Sequence, residues 1–136
     1  MQGSKETVAN ASVFGVYYGA EETKHVPDTG HSFISYFKRA TSPLVVLHLL
    51  SEKPMYGYEI SAALKERSEG KYTISILYPV LYRLEEQGYI EISSTEVSDG
   101  RARSYYSVTE EGRSYLDRTL AEYRDISETF LNLMRD

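Results

Sequence analysis

The side chains that could do chemistry in this 136-residue chain are tyrosines and arginines, while the usual catalytic residues are sparse or absent. There is no cysteine, which excludes disulfides, thiol catalysis and cysteine-ligated metals. His25 and His31 stand in an irregular start, and a lone histidine such as His48 in an apolar helix is more often a packing residue than a base. No spacing typical of metalloproteases, α/β-hydrolases or P-loops occurs. We therefore predict no enzyme activity, no metal and no cofactor.

A leucine stripe at helical spacing, Leu77, Leu81 and Leu84, predicts a helix over residues 75–87. Its opposite side could enter the major groove of DNA, which is about 12 Å wide, and contact base edges and phosphates. The alternative is that its tyrosines complete the core. The residues offered on that side are Ser75, Ile76, Tyr78, Pro79, Tyr82 and Arg83.

Basic residues occur near two other predicted turns. Arg101 and Arg103 follow the Asp99–Gly100 turn of a predicted hairpin, whose tip could cross a DNA backbone and reach the minor groove. An ordinary solvated hairpin is the alternative. Lys38 and Arg39 form a further basic pair, and Tyr56 and Gly57 could offer a hydroxyl and free amides to a phosphate.

The elements that must position these residues follow from periodicity and turn signals. We expect helices over 32–51, 57–68, 75–87 and 109–135 and a hairpin over 89–108. Pro43 predicts a break or kink at Thr41–Pro43, after which Thr41 or Ser42 could cap the helix that follows. Gly88 should end the third helix, and Thr109 should cap the last one. This order predicts a mainly α fold with a small β-hairpin, a winged helix-turn-helix with a long C-terminal dimerisation helix. The expected parts are an N-terminal arm of unknown structure (1–31), a winged-helix domain (32–108) and the dimerisation helix (109–136).

The last helix carries an apolar seam whose members are spaced 4, 3, 4, 3 and 4 residues apart. One short domain offers little to cover so long a seam, so we expect a second copy of the chain to do so, with help from the first helix. The predicted dimer residues are Phe33, Phe37, Leu116, Leu120, Tyr123, Ser127, Phe130 and Met134. Their aromatic surplus could also hold an aromatic effector among Phe33, Tyr36, Phe37, Tyr123, Ile126 and Phe130, although plain packing is the alternative.

The formal net charge of −5 and pI of about 5.3 at first argue against a nucleic-acid partner. The excess acid, however, lies at the ends: residues 1–37 carry a net −2 and residues 109–136 a net −3. The middle is close to neutral. Absence of cysteine fits a reducing cytoplasm, and no apolar run reaches the roughly 20 residues of a membrane span.

In addition, the sequence resembles the PadR family of bacterial transcriptional regulators over roughly residues 38–118. The resemblance rests on the runs Pro54–Ile60, Leu77–Glu85, Gly88–Ile90, Gly100–Tyr106 and Thr109–Gly112. It implies a winged-helix homodimer that binds palindromic operator DNA, usually as a repressor, and in some members responds to a small aromatic molecule. By motif, Tyr78 and Pro79 would lie on the recognition helix, Gly100, Arg101 and Arg103 in the wing, and Tyr56–Gly57 beside the DNA backbone.

Two departures from the family pattern stand out. Ser75–Ile76 replace the Gly-Thr that often precedes Leu-Tyr-Pro, and the tryptophan that lines a drug pocket in some members is absent. The alternative function is a winged-helix module that binds protein and not DNA.

Overall fold

The computed structural model describes residues 30–135, so nearly all of the predicted N-terminal arm lies outside the described residues. Residues from Lys38 onward form one compact unit, and those before it belong to another. Four helices and one hairpin follow in order: α1 Phe33–Glu52, α2 Gly57–Arg67, α3 Leu77–Glu86, β1 Ile90–Ser98, β2 Arg101–Val108 and α4 Glu110–Leu133. The predicted winged helix-turn-helix with a long last helix is confirmed. Among these residues, no helix is long and apolar enough to cross a membrane.

Of the predicted break or kink in the first helix, the break does not occur, because α1 continues through Pro43 and buries Ser42 within it. A proline inside a helix lacks an amide hydrogen and costs about 3 kcal/mol or more. Here the turn after it buries Val46 and Leu47 completely, and each such side chain contributes roughly 1.5–3 kcal/mol. The predicted cap does not form either, since the hydroxyl of Thr41 hydrogen-bonds that of Tyr72.

The core lies between α1, α2, α3 and the base of the hairpin, where Leu47, Ile60, Leu81, Leu84 and Ile90 are fully buried. The predicted leucine stripe of α3 faces this core along its whole length. One exposed ion pair joins the ends of α1 and α2: Arg67 donates two hydrogen bonds to Glu52, at 2.9 and 2.7 Å. These hydrogen bonds lower the pKa of the Glu52 carboxyl.

Helix α3 is shorter than predicted and begins at Leu77, with Ile76 as its N-cap. Pro79 is therefore its third residue, where an amide has no intrahelical acceptor and none is lost. Ser75 precedes the helix. Gly88, at φ +82°, ends it as predicted.

The hairpin turns at Asp99 and Gly100, whose φ values of +53° and +74° agree with the predicted turn. Met55 forms an isolated antiparallel bridge to β2, because it exchanges backbone hydrogen bonds of 3.1 and 2.9 Å with Tyr106. A bulge between Ile92 and Ser94 interrupts the register of β1. Ile90 is buried, whereas Ile92 is 45% exposed.

Helix α4 starts at a tight joint with the end of α3. Thr109 is its N-cap, as predicted, and accepts a 3.0 Å hydrogen bond from the Gly112 amide. The Thr109 hydroxyl also donates to the Gly88 carbonyl at 2.7 Å, and its amide donates to the Tyr89 carbonyl at 3.0 Å. The Tyr89 and Tyr115 rings stack beside this joint with centroids 4.5 Å apart.

Candidate nucleic-acid interface

One face of α3 carries large side chains that the core does not use. Tyr78 and Tyr82 are 49% and 59% exposed, and their ring centroids lie 6.0 Å apart. Pro79 and Arg83 are exposed on the same helix. The alternative interpretation, in which these tyrosines complete the core, is therefore wrong. The two phenol hydroxyls and the guanidinium are therefore hydrogen-bond donors on an exposed helix face. A face of this kind can enter a DNA groove.

The two residues before α3 extend this face. Ser75 is exposed, and the N-cap Ile76 is 67% exposed. An aliphatic side chain cannot satisfy the open amides of a helix start, and serine, threonine, aspartate or asparagine is the usual residue there. Sequence reasoning placed Ile76 on this face but did not single it out.

Gly57 has a packing function that the sequence did not indicate. It is the first residue of α2 and is buried, with the Tyr78 phenol lying over it. A Cβ at residue 57 would approach Tyr78 Cζ to 2.8 Å. The lack of a side chain at residue 57 thus leaves the space that the Tyr78 phenol occupies. The predicted use of the Gly57 amide stays a prediction.

The wing carries Arg101 beside its tip and Arg103 nearer its base. Their Cα partners across the hairpin are Ser98 and Glu96. Within residues 30–135 neither guanidinium forms an ion pair. The ion pairs described there join Glu52 to His48 and to Arg67. Arg101 is exposed and Arg103 is partly covered, so the two arginines differ in their surroundings.

The partial cover of Arg103 comes from a tyrosine cluster formed by Tyr56, Tyr58 and Tyr105. The Arg103 guanidinium lies 5.2 Å from the centre of the Tyr56 ring. Tyr105 meets the Tyr56 ring edge-on at 5.2 Å, and Tyr58 stacks on it at 6.4 Å. Neither Tyr58 nor Tyr105 was predicted as a site residue. The signal for Tyr58 was its place two residues after Tyr56, but no pattern linked the wing to α2.

Tyr105 ties this cluster to the acidic strand β1. Its hydroxyl donates a 3.2 Å hydrogen bond to Glu96 Oε1. Desolvation, followed by this hydrogen bond to Glu96, raises the pKa of the Tyr105 phenol. The backbone amide of Tyr56 in turn donates to Glu59 Oε1 at 3.2 Å, which holds the start of α2.

The basic pair on α1 lies beside the loop between α2 and α3. Lys38 Nζ is 5.8 Å from the centre of the Tyr72 ring, and Arg39 is exposed. Burial raises the pKa of the Tyr72 phenol. The structure thus joins Tyr56, Gly57, Tyr78 and Arg103 through contacts and places Lys38 at a separate loop.

The predicted dimer residues divide between two environments. Leu116 is buried in the core of its own chain and Leu120 packs partly against that core, because the first turns of α4 cover the domain. Further along, Tyr123, Ile126, Phe130 and Met134 are each 41% exposed or more, and Ser127 is partly covered. Near the start of α1, Phe33 and Phe37 have ring centroids 6.0 Å apart, and Tyr36 Oη lies 3.1 Å from His31 Nδ1.

A known family model matches residues 46–118, which include all of α2, α3 and the wing. Its description is the transcriptional regulator PadR-like family. This chain belongs to the PadR-like family of transcriptional regulators. A PadR-like chain binds DNA to regulate transcription and is not an enzyme.

Relatives of this PadR-like chain include the transcriptional regulator Rv3488 of Mycobacterium tuberculosis, 38% identical over 82 residues, which are 59% of this chain and 73% of that protein. Uncharacterized protein X of Lysinibacillus sphaericus is 38% identical over 86 residues, 62% of this chain and 79% of that one. The transcriptional regulator YqjI of Escherichia coli is 30% identical over 95 residues, 68% of this chain but 44% of YqjI. This chain therefore spans less than half the length of YqjI.

Solved structures give the same result for the fold. A transcriptional regulator from Clostridium thermocellum superposes with a TM-score of 0.68 at 28% identity, covering 74% of this PadR-like chain and 99% of that one. A PadR family transcriptional regulator from Eggerthella lenta gives a TM-score of 0.69 at 27% identity, covering 79% and 94%.

Proposed function

We propose that this PadR-like regulator is a homodimeric repressor in the cytoplasm, and that it binds a palindromic operator with α3 in the major groove and the wing along the adjacent backbone. The observation that carries the proposal is the exposed face of α3, where Tyr78, Tyr82 and Arg83 project opposite a fully buried leucine stripe. A helix that used this face for packing would have buried it.

Each part of the surface supports a different contact. Tyr78, Tyr82 and Arg83 supply donors for phosphates and base edges, while Ile76 at the start of α3 offers an apolar group for a thymine methyl. Arg101 at the wing tip carries a charge that no described acid neutralises, which suits a phosphate or the minor groove. Lys38 and Arg39 would add backbone contacts from α1.

A palindromic operator requires a second copy of the chain, because its two half-sites mirror a two-fold protein dimer. The apolar stripe in the second half of α4 is exposed, and a two-fold contact through it would present two α3 helices to half-sites about one helical turn, roughly 34 Å, apart. In this arrangement a small aromatic molecule held by Phe33, Tyr36, Phe37, Tyr123, Ile126 and Phe130 would change operator affinity. A thermal-shift screen of aromatic compounds tests that part, and no stabilisation across a broad set would count against it.

Fluorescence anisotropy with a duplex from the gene's own promoter tests DNA binding directly. Each phosphate contact contributes about −0.9 to the slope of log K against log salt concentration. Arg101→Ala should weaken binding to every duplex and flatten the slope by about one such contact. Lys65→Ala removes the same charge from an exposed position on α2 and should leave the slope unchanged.

The alternative of a protein-binding module predicts a different result. The wild-type protein would then show no shift of promoter DNA even at low salt. Equal slopes for the wild type and Arg101→Ala would remove Arg101 from the interface. Reporter transcription in cells with and without the gene tests repression, since a repressor must lower expression from its operator.

A further inference from the structure

We propose that Tyr56 is a positioning residue for DNA binding, and that its ring holds the Arg103 guanidinium face-on so that the edges of that group reach a phosphate. The inference rests on the proposed function, because it concerns how the wing contacts DNA. The key observation is the 5.2 Å distance between the Arg103 guanidinium and the centre of the Tyr56 ring. Tyr56 would thereby act on DNA through Arg103.

A guanidinium stacked on an aromatic face keeps its N–H donors in the plane of the group, and these donors match the oxygens of a phosphate. Arg103 sits opposite Glu96 across the hairpin and could have paired with it. Instead, Glu96 accepts the 3.2 Å hydrogen bond of Tyr105, which occupies one carboxylate oxygen. The arrangement thus directs Arg103 toward the ring of Tyr56 and away from neutralisation by Glu96.

Both sides of this contact are themselves fixed. The Tyr56 backbone amide donates to Glu59 at the start of α2, and the neighbouring Met55 forms two backbone hydrogen bonds with Tyr106 of β2. Tyr105 packs its ring edge-on against Tyr56 at 5.2 Å. Tyr56 therefore links the wing to the start of α2, and Gly57 beside it lies under Tyr78 of α3. An arginine held at this point has a fixed position relative to the recognition helix.

Arg101 provides a matched comparison within the same wing. It is exposed, and its side chain makes no described contact with an aromatic ring. Both arginines carry one charge and both are proposed to contact DNA, but of the two only Arg103 is described over an aromatic ring. If Tyr56 acts through Arg103, its effect on DNA binding must depend on Arg103 and be independent of Arg101.

A double-mutant cycle on the full chain tests this, with promoter-duplex affinity as the readout. Tyr56→Leu should weaken binding about two- to five-fold, the equivalent of the ~0.5–1 kcal/mol of an exposed cation–π contact. In an Arg103→Ala background the same change should have no effect, whereas in an Arg101→Ala background it should keep its full effect. Tyr56→Phe retains the ring, so adding Arg103→Ala should weaken binding by this variant as much as it weakens binding by the wild type.

The salt dependence separates positioning from charge. Tyr56→Leu keeps every positive charge, so its salt slope should equal that of the wild type, while Arg103→Ala should lose about one phosphate contact. Arg103→Lys keeps the charge but not the planar group, and should resemble Tyr56→Leu in affinity. Thermal unfolding of each variant identifies any that fail to fold. If Tyr56→Leu or Arg103→Ala does not fold, the comparison of Arg103→Lys with Tyr56→Phe tests the proposal instead.

Additive effects of Tyr56→Leu and Arg103→Ala would overturn the proposal while DNA binding itself stands. A wild-type protein that does not bind the promoter duplex would instead overturn the proposed function. The two failures are therefore distinguishable in one set of titrations.

Discussion

The phenol of Tyr78 lies over the Cα of Gly57, so α3 and the start of α2 touch at a position with room for hydrogen only. The contact joins the face that is proposed to enter DNA to the segment that carries Tyr56. Loss of this space should displace Tyr78 without altering any charge.

Gly57→Ala should therefore destabilise the fold by about 1–3 kcal/mol, the usual cost of overpacking, although alanine is otherwise the better helix residue. DNA affinity should fall as well, because Tyr78 must move. Urea unfolding and anisotropy measure the two effects. Tyr78→Phe removes the hydroxyl nearest to residue 57, so Gly57→Ala should cost less in that background. An undiminished cost would show that the Tyr78 hydroxyl is not what the new methyl group meets.

Gly112→Ala should destabilise the protein by about 1–3 kcal/mol, because the new methyl group would meet the Tyr89 carbonyl and come within 2.8 Å of Val108 Cγ2. Helix propensity alone predicts the opposite sign, a gain of about 1 kcal/mol for replacing a helical glycine. Ser114→Ala, at an exposed position in the same turn, is the control and should be nearly neutral. A stabilised Gly112→Ala protein in urea unfolding would contradict the close approach of α4 to Tyr89.

Phe130→Glu should convert the proposed dimer into a folded monomer, because Phe130 is 55% exposed on α4 and lies outside the core formed by the described residues. Light scattering coupled to size exclusion gives the mass, and circular dichroism shows that the fold persists. Leu116→Ala provides the contrast: Leu116 belongs to the chain's own core, so this change should cost about 2–5 kcal/mol of stability. An unchanged mass for Phe130→Glu would place the interface elsewhere.

Ile76 should make operator affinity depend on a thymine methyl. Replacing each operator thymine in turn with deoxyuridine removes one methyl group, and one such replacement should weaken binding by the wild type about four-fold, since burying one such group is worth ~0.8 kcal/mol. Ile76→Ser should bind both duplexes alike. If the wild type tolerates every deoxyuridine, Ile76 does not contact a thymine methyl.

The free energy of unfolding should decrease as the pH rises above about 10, the ordinary pKa of tyrosine. Burial, followed by the nearby charge of Glu85, raises the pKa of the Tyr106 phenol in the folded state. The folded state thus favours the protonated phenol, and its contribution is complete below the unfolded pKa and is lost as pH rises through the folded one. Urea unfolding between pH 8 and 11 should show a smaller decrease for Tyr106→Phe than for the exposed control Tyr58→Phe; identical decreases would exclude Tyr106 as a source.

The sequence predicted every element of the winged helix because each has a strong local signal: the stripe of Leu77, Leu81 and Leu84, the Asp99–Gly100 turn and the Thr109 cap. It failed where distant packing outweighs a local preference. Pro43 suggested a break, yet the burial of the next turn keeps α1 continuous. Leu116 fitted a dimer seam, and periodicity alone could not show that its own domain covers it.

The exposed face of α3 was predictable because it is the complement of the leucine stripe. The contacts that organise the site were not, because they join residues far apart in sequence. Tyr56 meets Arg103 across 47 positions, and no pattern of either segment indicates the other. Similarly, the burial of Gly57 depends on the reach of Tyr78 from another helix.

The hydrogen bonds of Thr109 fix the start of α4 beside the end of α3. The Thr109 hydroxyl hydrogen-bonds the Gly88 carbonyl just after α3 and the Gly112 amide in the first turn of α4. Gly112 also packs closely against the Tyr89 carbonyl. The 24 residues of α4 extend about 36 Å, so a tilt of one degree at the joint displaces the far end by about 0.6 Å. By the same geometry, a displacement of about 0.6 Å near Phe130 corresponds to a tilt of α4 by only one degree at this joint.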